Sequence, residues 1–360
     1  AVLAQTTESL LALGQFDKTI EVGQDLLTRL DNPLAEINAD DIQQYQVTGG
    51  LAIGHAERAL EHHQLAEQAY FRVVSQLENM PSSEQQRPGS LYQSYYTATL
   101  DNYAASIYQQ GVAQMDNGDA AGAADSFMRV VAQASASTIR VSAQRDAAAL
   151  YMQTQQWQRA IDVLTDFQTR FPNNADTATI PARLLLANQS LGNWAGAATQ
   201  AMVLAANDSD PTVRQEALYS AAEFYQKAGD TAQAIESYRS YAHKYAEPLA
   251  QNMEAQFRLT ELYAAQGAAA EREFWLQKMI QTHAGAAQPT DRSRYLAVFA
   301  ASHFAENDFA VYDAIVLNHP LKTSLAKKRK AMQKALASYQ ALAAYYVAEL
   351  STQATPRIGG

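Results

Sequence analysis

The amino-acid sequence predicts an all-α protein, a solenoid of paired helices, on three observations. Gly and Pro are scarce, 16 and 10 among 360 residues, and the remaining composition is that of long amphipathic helices rather than of sheets. Every strong apolar periodicity lies near the helical period. A short turn, in which Gly or a substitute precedes an aromatic or small residue and, five on, a small residue, recurs at Gly118, Gln155, Gly192, Gly229, Gly267 and Asn307, at spacings of 37, 37, 37, 38 and 40 residues. So regular a spacing is that of a repeat protein, in which each unit packs only on its neighbours and one continuous body holds the whole length.

The elements follow in order along the chain. Residues 1–100 read as irregular N-terminal helical pairs, with looser turns at Gly14-Gln15-Phe16 and Gln64-Leu65-Ala66 and breakers at Asp31-Asn32-Pro33 and from Pro81-Ser82-Ser83 through Pro88-Gly89. Residues 101–285 are the regular repeats. After the breaker at Ala286 to Pro289, residues 286–350 read as a degenerate pair, Ser293 to Pro320, with Tyr312 where Ala is expected, and then one long basic helix, Leu321 to Leu350. The apolar residues Leu325, Met332, Leu336, Tyr339, Leu342 and Tyr346 of that helix predict a buried face that caps the stack, with Lys327, Lys328, Arg329 and Lys330 pointing outward. Residues 351–360 are a tail without a closing cap, and the chain is expected to be a fragment of a longer protein.

Within the regular repeats the phase holds residue by residue. With each turn anchor taken as place 15, place 20 is Ala123, Ala160, Ala197 and Ala234, place 17 is Trp157 and Trp194, and place 11 is Tyr151, Tyr225 and Tyr263. Place 24 is Phe127, Leu164 and Tyr238, and place 32 is Pro172, with Pro81 in an earlier unit. Small residues let two helices approach closely, and the large ones fill the groove beside that contact, so Ala160 and Ala197 should be buried at helix crossings.

On these residues the chain resembles the tetratricopeptide repeat family. The longer unit and the cadence of Tyr151 to Pro172 and Tyr225 to Tyr245 are similar to bacterial periplasmic members associated with the Tol-Pal and outer-membrane assembly machineries, over residues 103–283. The resemblance implies a right-handed superhelical α-α solenoid, and a non-catalytic protein–protein interaction scaffold in a bacterial cell-envelope complex, placed in the periplasm, that binds partner segments in a concave groove. The alternatives are a regulatory or substrate-capturing arm of an enzyme whose catalytic domain lies outside this chain, and a cytoplasmic location.

Charge narrows the partners. The formal net charge is −10, which repels a phosphate backbone, so nucleic acid is not an expected partner. From Leu321 onward seven Lys and Arg face Glu349 alone, leaving 20 basic and 36 acidic residues before it, a balance of −16. No cysteine is present, which excludes disulfides and thiol chemistry, and no apolar run is long enough to span a bilayer.

No motif for chemistry survives inspection, and no cofactor or metal is expected. Glu61-His62-His63 is adjacent in sequence and splays around a helix; phosphate-cradling and zinc-peptidase motifs are missing. Ser324-Leu325-Ala326-Lys327 has the S-x-x-K form of serine acyltransferases but lacks their companion motifs, and Ser324 reads as the start of the last helix. The places where some tetratricopeptide domains grip a peptide C-terminus hold Arg145, Ala149, Ala182, Leu186, Glu216 and Ser220, which do not match. The binding candidates are Tyr92, Tyr95, Tyr96 and Tyr219, as tyrosines off the repeat phase, together with Lys327, Lys328, Arg329 and Lys330 for an acidic surface.

Overall fold

A computed structural model describes residues 1–31 and 37–354, the last nine of them as backbone only. Helix makes up 82% of the chain, and no strand occurs among the described residues. Asn32 and Pro33 of the first breaker, the end of the tail, and the side chain of Tyr346 lie outside what is described. The contacts divide the chain into two compact units, Ala1–Leu191 and Gly192–Gly360.

The first unit consists of α1 (Val2–Ala12), α2 (Phe16–Asp31), α3 (Ala39–Ala59), α4 (His63–Glu78), the short α5 (Ser82–Gln86), α6 (Leu91–Asp116), α7 (Ala120–Gln133), α8 (Arg140–Gln153), α9 (Trp157–Arg170) and α10 (Ile180–Ser190), with a 3-10 turn at Ala175–Thr179. Its longer helices pack mainly on their sequence neighbours, and Tyr70, Tyr103, Phe127, Tyr151, Leu164 and Phe167 form a continuous core along them. Ala123 and Ala160 are wholly buried, as the repeat phase requires. Gly111 of α6 shows how tight these crossings are: a Cβ there would stand 2.6 Å from the Phe127 ring and 3.2 Å from the Ala123 carbonyl oxygen.

The second unit consists of α11 (Trp194–Asn207), α12 (Pro211–Ala228), α13 (Thr231–Lys244), α14 (Leu249–Ala265), α15 (Ala269–Ala284), α16 (Asp291–Asp313) and α17 (Leu321–Ala354). One core gathers Ala234, Tyr238, Tyr241, Leu259 and Trp275, and another Met253, Leu276, Met279 and Leu296. Ala197 and Ala234 are wholly buried.

The turn anchors are legible in the backbone. Gly118, Gln155, Gly192, Gly229 and Gly267 all take positive φ, between 58° and 83°, and so does Gly14. This left-handed residue ends the first helix of a pair and sends the chain back into the second. At Gln155 a side-chain-bearing residue accepts the same conformation. In the second pair the turn is at Glu61, φ 61°, and Gln64 lies already inside α4.

Two expectations for the last third are corrected. Asn307 is not a turn: α16 runs through it as one 23-residue helix, because residues 291–313 hold neither Gly nor Pro and a capping box between Thr290 and Ser293 starts the helix firmly. The long helix α17 forms, but not with the predicted face inward. Leu325, Met332, Leu336 and Tyr339 are 53%, 39%, 53% and 43% exposed, and Leu342 is half-buried. Among the described side chains of α17, Ser324 and Ala335 are buried, with Lys328, Ala331 and Ser338 half-buried in the same row. Polar bonds hold that row in place: Ser338 donates to Asp308 at 2.6 Å, the exposed Lys334 beside it pairs with the same carboxylate at 2.7 Å, and Lys328 donates to the Ile315 carbonyl at 3.0 Å. Small side chains let α17 approach α16 closely, and its large apolar residues come to lie beside the contact instead of in it.

Candidate protein-binding face

In the second unit the residues beside the repeat phase gather on α12, α14 and α16. Tyr219 precedes Gly229 by ten residues and Phe257 precedes Gly267 by ten, so the two aromatics occupy one repeat place. Glu216 and Glu254 are likewise equivalent, as are Glu223 and Glu261. On α14, Glu254, Arg258 and Glu261 fall at helical spacing on one face, as do Arg292, Tyr295 and Phe299 on α16.

These residues touch. Arg292 forks onto Glu254, with nitrogen to oxygen distances of 2.9 to 3.1 Å, and its guanidinium lies 5.2 Å from the Tyr295 ring and 5.8 Å from the Phe257 ring. Arg258 covers the same Phe257 ring at 5.9 Å while pairing with Glu261 at 2.9 Å. Phe257 and Phe299 meet edge to face at 5.4 Å. Tyr295 is 59% exposed and Phe299 37%, so the cluster presents flat apolar area to solvent beside arginines whose geometry is already set. A fixed aromatic–arginine cluster gives large contact area at small ordering cost, the profile of a binding anchor.

Tyr219 forms the α12 edge of this face. It is half-buried, packs edge-on to Tyr238 and Tyr241 at 5.8 and 5.2 Å, and burial, with the Glu223 and Glu254 carboxylates nearby, pushes its phenol up to about 12. It is a neutral hydrogen-bonding group at any physiological pH.

In the first unit, Tyr92, Tyr95 and Tyr96 are half-buried against the core at the start of α6. Tyr92 and Tyr96 stack at 4.4 Å, and the Tyr96 hydroxyl donates to Glu78 at 2.8 Å. Of the basic candidates, Lys327, Arg329 and Lys330 are exposed, whereas Lys328 turns inward, its Nζ 4.9 Å from the Tyr312 ring. Four consecutive residues point to four directions around a helix, so they do not form one patch.

The chemical motifs resolve structurally. The Ser324 hydroxyl donates to the Asn318 carbonyl at 2.7 Å and accepts from its N–H at 3.3 Å, a bond that fixes the start of α17. His62 hydrogen-bonds Glu57 at 2.9 Å at the head of α4. Among the described residues no group of three or more His, Cys, Asp and Glu could hold a metal ion, and no helix is long and apolar enough to cross a membrane.

Sequence reasoning reached Tyr219 and passed over Phe257, Arg258, Arg292, Tyr295 and Phe299. The signal was present: Tyr219 and Phe257 share a place relative to their turns, which counting tyrosines alone conceals.

The tetratricopeptide repeat family model matches residues 143–174 and 216–247. No curated protein matches the chain. Among solved structures, the apo form of RapI aligns at 10% identity over 94% of this chain and 96% of its own, with a TM-score of 0.29. A Rap protein complexed with competence and sporulation factor aligns at 11% identity, 96% and 99% coverage and a TM-score of 0.26. A human IFIT1 dimer with m7Gppp-AAAA aligns at 12% identity, 97% and 81% coverage and a TM-score of 0.28. Superpositions this loose carry nothing about ligands. The two matched segments coincide with the pairs α8–α9 and α12–α13, whose turns are Gln155 and Gly229, and the chain is an all-helical repeat protein with tetratricopeptide repeats at those positions.

Proposed function

We propose that this protein is a non-catalytic interaction scaffold that binds extended segments of other proteins across the first helices of its pairs, with the Phe257–Arg258–Arg292–Tyr295–Phe299 cluster as principal anchor. The observation that carries this reading is the exposure of Tyr295 and Phe299 beside arginines already fixed by Glu254 and Glu261. Four carboxylates, Glu216, Glu223, Glu254 and Glu261, outnumber the two arginines on this face, so the favoured segment carries basic and apolar side chains. Tyr219 extends the face, and Tyr92, Tyr95 and Tyr96 offer a lesser one in the first unit. The setting in a bacterial envelope complex, in the periplasm, rests on the cadence of residues 103–283 alone.

The test is affinity capture from envelope extracts with the natural chain, Arg292→Glu and Tyr295→Ala, the variants checked for unchanged helicity. The expected result is a protein retained by the natural chain and lost from both variants. Identical capture by all three would remove this face as the binding site.

A further inference from the structure

The exposed flank of α17 has a regularity that solvent exposure alone does not require. Leu325, Arg329, Met332, Leu336, Tyr339 and Ala343 alternate at spacings of four and three residues, and Lys322 continues the row backward. A repeat of about 3.5 residues is the seam of a coiled coil, which faces another helix over its whole length. On this 34-residue helix the adjacent row of Ser324, Lys328, Ala331, Ala335 and Ser338 is the buried or half-buried one, whereas Leu325, Met332 and Leu336 of this second row are 53%, 39% and 53% exposed among the described residues. Phe309 of α16 is 48% exposed, and its ring lies 6.5 Å from that of Tyr339. Leu336, Tyr339 and Phe309 thus make one exposed apolar surface that runs from α17 onto α16.

Charge chooses the occupant. Residues 321–345 contain no Asp or Glu, and the seam itself holds Lys322 and Arg329. Two copies of α17 pairing over this stretch bring only positive charges together, whichever way they run. A lipid surface is also a poor fit, since the residues of the same unit before Leu321, 192–320, carry 15 Asp and Glu against nine Lys and Arg. We infer that this exposed face of α17 receives an acidic amphipathic helix of another protein, with apolar residues in heptad spacing against Leu325, Met332, Leu336 and Tyr339 and carboxylates opposite Lys322 and Arg329. This surface is distinct from the anchor around Arg292, and neither depends on the other.

The experiment titrates the full chain with a labelled synthetic peptide of about three heptads, Leu at the two seam places of each and Glu flanking them, and with the same peptide carrying Lys in place of Glu, by fluorescence anisotropy. The expected result is binding of the acidic peptide at least about tenfold tighter than of the basic one, a further loss of about tenfold or more with Leu336→Glu and with Arg329→Glu, and no loss with Arg292→Glu. Leu336 and Arg329 are exposed, so both variants should keep the parent melting temperature. Equal binding of the two peptides, or binding unmoved by Leu336→Glu, overturns the inference. A dimer in sedimentation that Leu336→Glu abolishes assigns the seam to a second copy instead, and Leu336-dependent binding to phosphatidylglycerol vesicles assigns it to lipid; either result also overturns it.

Discussion

The pair α8–α9 and the pair α16–α17 have helices of similar apolar content and opposite use of it. In α8–α9, Ala160 sits at the crossing and Tyr151, Leu164 and Phe167 close over it, all of them buried. In α16–α17, Ala335 is buried and Ser338 bonds Asp308 of α16, while Leu325, Met332 and Leu336 stand in solvent. Periodicity reports that a helix has an apolar row; it does not report whether that row or its smaller neighbour meets the next helix. Where turn and crossing residues recur in phase, the neighbour is specified. Where the repeat lapses, as it does after Gly267, it is not.

The largest effect should separate the two pairs directly. Leu164→Ala leaves a cavity in a closed core and should cost about 2–5 kcal/mol, whereas Leu336→Ala should stay within about 0.5 kcal/mol, both read from urea midpoints. A similar loss from both would mean that α17 buries its large residues after all. Next, Ala160→Leu and Ala197→Leu should overpack their crossings and lower stability by about 1–3 kcal/mol each. Melting temperatures equal to the parent's would break the repeat register on which the contrast rests.

The turns allow a smaller and two-signed test. Gly229 takes φ 79° and Gln155 φ 58°, so Gly229→Ala should lose about 1 kcal/mol while Gln155→Gly should gain up to about 1 kcal/mol, the left-handed strain relieved exceeding the added chain entropy. Calorimetry of the two variants should show shifts of opposite sign.

The smallest effect is a pH dependence confined to the last pair. Burial raises the proton affinity of Asp308, but the ion pair with Lys334 and the Ser338 hydroxyl outweigh it and hold the carboxyl below its ordinary value. A depressed folded value means that Asp308 contributes its stability above the ordinary carboxylate range, near about 4, and loses it as pH falls through the lower folded value. Asp308→Asn should therefore narrow the difference between unfolding at pH 7 and at about pH 3, measured by circular dichroism. An unchanged difference would show that this carboxylate does not tie α17 to α16.

Most of the fold was legible from residues whose role is local and steric. Gly118, Gly192, Gly229 and Gly267 announce left-handed turns, and even Gln155, which has no such preference, was found by phase. Asn307 was misread because an Asn tolerates a turn without demanding one. The face around Arg292 was only partly legible, through Tyr219, since its residues sit on three separate helices and become neighbours by stacking. The ion pair from Arg292 to Glu254 spans α16 to α14 and leaves no trace in either segment alone.

The left-handed glycines carry one more consequence. A Cβ placed at Gly118, Gly229 or Gly267 meets nothing within 4 Å, so what holds these turns is torsion and not packing. Such a point is where a chain accepts foreign sequence at least cost. An affinity tag or small fluorescent reporter spliced at Gly118 should leave α6 and α7 packed on each other, giving an internal label that owes nothing to the termini.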